Sequence, residues 1–181
     1  MNGESLNAYN LFLIGYRCTG KSSVGKALAA KLGWQFLDTD SLLVSESGIS
    51  IKEIVETHGW QTFRKLEHVI VEQVCTLDRQ IVATGGGVVL STANVQLMKQ
   101  SGRLVWLRAT PETIRRRMIQ DADTETLRPA LTSKDSIAEI EETLLERESY
   151  YRQAMDFYVQ TDRLGLNAIA GSIIEYLKRE K

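Results

Sequence analysis

Several things are scarce in this chain of 181 residues. Its two cysteines, Cys18 and Cys75, lie far apart and form no C-x-x-C. That leaves neither a disulfide framework nor a cysteine zinc site, and it suits a reducing compartment. Its two histidines, His58 and His68, have no second His or Cys at ligand spacing, so they read as surface or packing residues. Charge of one sign is missing too. Lys plus Arg is 22 and Asp plus Glu is 23, a formal net charge of −1, which offers no overall attraction to DNA, RNA or an anionic membrane. No apolar run approaches the ~20 residues of a membrane-spanning helix. The opening M-N-G-E-S-L-N-A-Y lacks the basic start and apolar stretch of a signal peptide and reads as a flexible leader over residues 1–9. With 43% hydrophobic and 25% charged residues, the composition is that of one soluble globular domain. The expectation is a cytoplasmic monomer acting on small molecules, with no nucleic-acid or membrane partner.

Residues 15–22 read G-Y-R-C-T-G-K-S, which fits the phosphate-binding pattern G-x-x-x-x-G-K-[S/T]. The apolar run Leu11-Phe12-Leu13-Ile14 leads into it. A helical pattern follows, with Val24, Leu28, Ala29 and Leu32 on one face. Strand, glycine loop, helix is the context that the pattern needs. Backbone N–H groups of the loop then surround phosphates, and the helix N-terminus adds partial positive charge. Gly15, Cys18, Thr19, Gly20, Lys21, Ser22 and Ser23 form the candidate nucleotide-binding set. Lys21 would reach the β- and γ-phosphates of ATP, and the Ser22 hydroxyl would ligate Mg²⁺. The bland reading is an ordinary glycine turn.

Short apolar runs alternate with helical stretches along the rest of the chain. Strands are expected at 35–37, 81–83, 104–107 and 157–159. Helices are expected at 41–47 and 50–58, at 60–77, 91–100, from Pro111 onward, at 135–154 and at 166–179. Residues 119–127 are polar and acidic and read as a mobile loop. The alternation predicts an α/β fold of three layers, a parallel sheet with helices on both faces. Ligands then sit beyond the carboxyl ends of the strands, where Asp38, Asp40, Thr84 and Gly85-Gly86-Gly87 all fall.

Asp38-Thr39-Asp40 offers two acids, which in an extended segment point to opposite sides. One could face Mg²⁺ and the other an acceptor hydroxyl, or one could simply cap the next helix. The third strand carries Thr84 where many phosphate-loop proteins place a metal-binding Asp, which favours Asp38 as the metal candidate. Three consecutive glycines exceed what a plain turn requires and allow close approach of a ligand. Arg64, Arg128, Arg147 and the run Arg115-Arg116-Arg117 are the cationic candidates. A lone arginine is more often a solvated surface residue, and the run could be a basic helix end. Arg128 precedes Pro129 in a loop suited to closing over phosphates. Cys18, three residues before Lys21, is a candidate reactive thiol or simply a small residue in the turn.

Taken together, the phosphate loop, D-T-D at 38–40, F-R-x-x-E at 63–67, T-G-G-G at 84–87, L-R-P at 127–129 and R-x-x-x-Y at 147–151 resemble the shikimate kinases in order and spacing, over roughly residues 10–162. The resemblance implies ATP-dependent phosphorylation of the shikimate 3-hydroxyl, giving shikimate 3-phosphate and ADP, in aromatic amino-acid biosynthesis. It implies one P-loop kinase domain over 1–181, with strand order 2-3-1-4-5, a substrate-binding region near 41–77 and a lid near 119–130. By the same resemblance Asp38 is the metal-side acid, and Asp40 grips shikimate hydroxyls. Arg64 and Arg147 hold its carboxylate, Glu67 orients Arg64, and Gly86 with Gly85 and Gly87 lies at the substrate. Arg128 is the lid arginine. Arg117, or Arg116 one position away, stacks on adenine. Lys21, Asp40 and Arg128 carry the catalysis in this reading. Two residues depart from the family pattern: Cys18 stands where glycine is common, and Ala130 where Leu is frequent. A glycine with positive φ at position 18 would require a shifted loop here. Another small-molecule kinase of the same fold, such as a gluconate or nucleoside-monophosphate kinase, and a catalytically silent nucleotide-binding domain are the competing readings.

Overall fold

β1 (Asn10–Ile14) is buried at all five positions, because helices cover both faces of the sheet and leave this strand no solvent side. Leu11 and Leu13 join one apolar cluster, and Phe12 and Ile14 join another on the opposite face. That is the period-2 alternation of a strand. The computed structural model describes residues 9–120 and 137–179. Among them β2 (Gln35–Asp38), β3 (Gln80–Ala83), β4 (Gly102–Arg108) and β5 (Phe157–Gln160) complete a parallel sheet in the order β2-β3-β1-β4-β5. The register pairs Phe12 with Val82 on one side and with Leu104 on the other. The Leu11 and Leu13 face packs against α1 (Lys21–Leu32) and α7 (Leu166–Arg179). The Phe12 and Ile14 face packs against α2 (Thr39–Ser47), α3 (Ile51–Cys75), α4 (Thr92–Ser101) and α6 (Ile137–Ala154). α5 (Pro111–Gln120) joins a smaller cluster with Tyr16 and Ile140.

Most expected elements stand where the apolar pattern put them. The helices expected at 50–58 and 60–77 run together as α3, broken in backbone angles at Gly59 (φ 78°, ψ 166°), a conformation that favours glycine. A 3₁₀ turn at Val88–Leu90, which carries no periodic signal, precedes α4. The second strand ends at Asp38, as expected, and Asp38 caps α2, accepting from the N–H groups of Asp40 and Ser41. Asp40 therefore lies in the first turn of a helix and not on an extended segment, which corrects the expectation for D-T-D. The 121–130 part of the expected lid, with Arg128, and leader residues 1–8 lie outside the described residues.

Candidate active site

Among the first four helices, the starts set the phosphate loop apart. Side chains of Asp38, Ser50 and Ser91 cap α2, α3 and α4, whereas α1 starts at Gly20 (φ 98°) with no side-chain cap. The N–H groups of its first turn are thus left for an anion. Gly15 (φ 141°) and Cys18 (φ 58°) also have positive φ. Cysteine at position 18 does not move the loop to a different conformation. It accepts the left-handed one, at a cost of about 1–2 kcal/mol. The residue is half-buried and packs against the cluster of Tyr16, Ile114, Met118 and Ile140. Lys21 is buried, and its ammonium donates to the carbonyls of Gly15 (2.9 Å) and Tyr16 (2.7 Å). Thr19 is fully buried with its hydroxyl on Tyr16 O, while Ser23 is exposed.

Ser22 Oγ donates to Asp38 Oδ2 at 2.8 Å, and the other Asp38 oxygen holds the α2 cap. The metal and capping readings of Asp38 are therefore compatible. A hydroxyl and a carboxylate oxygen converging at one end of the phosphate loop are hard donors of the kind Mg²⁺ takes. Mg²⁺ commonly draws its remaining ligands from phosphate and water, so the donor set fits the ion.

Beside the loop lies an open recess, with about 550 Å³ of empty space when the solvent at its mouth is included. It gathers every acceptor-side residue expected from the sequence: Asp40, Arg64, Glu67, Gly85, Gly86, Gly87 and Arg147. Arg64 Nη1 donates to Glu67 Oε2 at 2.6 Å, and its guanidinium lies over the Phe63 ring at 5.0 Å. Glu67 is 2% exposed. Burial pushes its carboxyl above the usual range, and Arg64 pulls it part of the way back. Two of the three glycines fit closely against neighbouring side chains. A Cβ on Gly85 would lie 2.8 Å from Glu67 Oε1 and 2.9 Å from Asp40 Oδ1, and one on Gly87 would collide with the Arg64 guanidinium. Thr39, the middle residue of D-T-D, accepts from Gly85 N–H at 3.1 Å. Thr84 donates to Leu13 O and ties β3 to β1.

On the far side of the loop, Arg117 donates to Cys18 O (3.2 Å), Thr161 Oγ1 (3.1 Å) and Thr161 O (2.8 Å). Arg115 and Arg116 are exposed, so the geometry favours Arg117 over Arg116 as the arginine beside the nucleotide loop. The base of α5 is fixed as well. Asp162 accepts from Thr110 N–H at 2.8 Å. Burial raises its carboxyl, but the bonds from Thr110, Thr113 and Gln160 outweigh that and hold it at about 2.

A phosphate loop, an acid paired with its serine and an arginine-and-carboxylate recess occur together. The family model described as shikimate kinase matches residues 17–178. The chain belongs to the shikimate kinase family. It is 40% identical over 169 residues to the shikimate kinase of Moorella thermoacetica, covering 93% of this chain and 94% of the relative. To shikimate kinase 2 of Photorhabdus laumondii it is 41% identical over 141 residues, or 78% and 80% of the two chains. Among solved structures, shikimate kinase from Acinetobacter baumannii in complex with shikimate superposes with TM-score 0.89 at 27% identity, covering 97% and 96%. The enzyme from Aquifex aeolicus superposes with TM-score 0.76 at 27% identity, covering 94% and 97%.

For a shikimate kinase, some of what lines the recess escaped the motif pattern. Arg17 and Tyr16 line it from the phosphate loop, and Ile51, Trp60 and Phe63 from α3. Arg17 occupies an unspecified position of G-x-x-x-x-G-K, so the pattern hides it. Thr161 was also missed. Its hydroxyl lies 3.2 Å from Thr19 O and 3.0 Å from Arg108 O. Like Thr84, it is a hydroxyl residue just past the C-terminal end of a strand, which was the clue.

Proposed function

We propose that this chain transfers the γ-phosphoryl group of ATP to the 3-hydroxyl of shikimate, releasing shikimate 3-phosphate and ADP. One observation carries the reading: the recess that shares Tyr16 and Arg17 with the phosphate loop also holds Arg64, Arg147, Asp40 and Glu67. Shikimate has one carboxylate and three hydroxyls. Arginine can take a carboxylate through two parallel bonds, and Asp40 suits a hydroxyl donor. In this reading Arg64, held by Glu67, and Arg147 clamp the carboxylate. Asp40 then aligns the 3-hydroxyl and accepts its proton as the oxygen attacks the γ-phosphorus. Lys21 leaves the Gly15 and Tyr16 carbonyls for the β- and γ-phosphates, and Arg117 borders the adenine. Ser22 and Asp38 would hold Mg²⁺, which when bound neutralises charge on the phosphates. Arg128, whose role rests on the sequence, is assigned to the transferring phosphoryl group. The balanced charge supports small-molecule substrates over a polyanionic partner, and the reading is of a cytoplasmic monomer. The test is ADP release by the purified chain with Mg-ATP, measured with and without shikimate. Shikimate-dependent release is expected. Release that is the same without shikimate, or that depends on gluconate or a nucleoside monophosphate instead, would sink the assignment.

A further inference from the structure

Tyr151 closes the R-x-x-x-Y run, but the chemistry above gives it nothing to do. With Tyr16 it is among the largest side chains wholly enclosed among the described residues, and it has no solvent exposure. Its ring stacks on Trp106 of β4 at 5.3 Å and 16° between planes, which fixes its direction. Its hydroxyl donates to Gly86 O at 2.5 Å. Arg147, one helical turn earlier on α6, is near enough for its positive charge to act on the same phenol, and it lines the acceptor recess, as Gly86 does.

We propose that Tyr151 is a positioning residue for the acceptor, its hydroxyl being the shared anchor that fixes the Gly86 segment and Arg147 relative to one another. This rests on the reading of the recess as the shikimate site. The chemistry of the three groups supports it. A guanidinium only donates and a carbonyl only accepts, so the two cannot bond to each other across a gap without a group that does both. A hydroxyl has one proton to give and lone pairs to receive; here the proton goes to Gly86 O, and the lone pairs remain for the neighbouring guanidinium. Burial pushes the ionisation of the phenol far above its ordinary range, so the proton is kept throughout the working pH range. The glycine run has no side chains of its own to hold it. Thr39 secures Gly85 through its N–H and Tyr151 secures Gly86 through its carbonyl. Arg147 comes from a different part of the chain, and a shared partner is what ties its guanidinium to the β3 end of the recess.

The experiment is Tyr151→Phe, which keeps the ring on Trp106 and deletes only the hydroxyl, compared with Arg147→Ala and the double variant. KM for shikimate should rise about tenfold in Tyr151→Phe, the effect of one well-placed hydrogen bond, with KM for ATP within about twofold of wild type. In the Arg147→Ala background the same change should raise KM for shikimate much less, because the group being positioned is already gone. Tyr151→Phe with an unaltered KM for shikimate, whatever its Tm, overturns the proposal, and so does a parallel rise in both KM values. Fully additive effects overturn the shared anchor. A variant recovered only unfolded assigns the hydroxyl to folding and also overturns it. If Arg147→Ala itself leaves KM for shikimate unchanged, the site reading fails first and the anchor falls with it.

Discussion

The phosphate loop and the acceptor recess meet at Tyr16 and Arg17, yet they are made differently. The loop is one continuous stretch between β1 and α1, and its binding groups are mainly backbone: an uncapped helix start at Gly20 and positive-φ residues at Gly15 and Cys18. The recess is made of side chains from α2, α3 and α6, closed by the glycine run after β3. One side is fixed by local conformation, the other by long-range packing. A change in the loop should therefore strike phosphate chemistry whichever acceptor is present, whereas a change in the recess should strike the acceptor and spare ATP.

The largest expected effect is on the loop side. Lys21→Ala should lower kcat by at least about a hundredfold, the scale of losing one preorganised charge at a reacting centre. Shikimate binding by calorimetry should persist; if it vanishes with turnover, the two sides are not separable. Next comes Arg64→Lys, which keeps the charge but cannot make the two-pronged contact. We predict a rise in KM for shikimate of about ten- to a hundredfold, corresponding to ~1.5–3 kcal/mol for a charged hydrogen bond. A shift confined to KM for ATP would place Arg64 at the wrong ligand.

A smaller effect is expected from Glu67→Gln, which should raise KM for shikimate several-fold because Arg64 loses its ionic partner. Its stability signature is distinctive. The Glu67 carboxyl is held above the usual range by burial, so the fold prefers the protonated form, and this group's contribution improves as pH falls through its folded pKa. The neutral amide should then not lower Tm at neutral pH, and any advantage over wild type should shrink on acidification. A clear loss of Tm at neutral pH would show the ionised carboxylate to be stabilising. The smallest effect is expected from Cys18→Gly. It relieves the left-handed strain at φ 58°, but the gain is offset by about 0.4–1 kcal/mol of added freedom in the unfolded chain. Thermal melts should place the variant close to wild type, and a large change in either direction would mean that the Cys18 packing against Tyr16 and Ile114 matters more than its backbone angle.

The same contrast explains what the sequence could reveal. The loop is local, so its glycine and lysine spacing announces it. Strand order was legible through the combination of motifs and the family resemblance, and the residues expected at the acceptor line one recess. Arg17 was not, because its position in the pattern admits any residue and only the packing of Gly86 against the loop brings it to the recess. Thr161 and Tyr151 act through partners far away in the chain, at Arg117 and Gly86, and no spacing rule encodes such pairs. Asp40 was misplaced on an extended segment because Asp38 ends a strand and caps a helix at once, and periodicity registers only the first.

The resting place of Lys21 has a consequence for the company the enzyme keeps. In the free protein its ammonium is already satisfied by two carbonyls, at 2.9 and 2.7 Å. A newcomer must replace both contacts to recruit it, and each charged hydrogen bond is worth about 1.5–3 kcal/mol. A lone inorganic anion offers little surplus over that exchange. A polyphosphate chain, which also occupies the uncapped start of α1, offers much more. The same exchange therefore weighs more heavily on a short anion than on a polyphosphate chain, whose contacts with the α1 start come in addition.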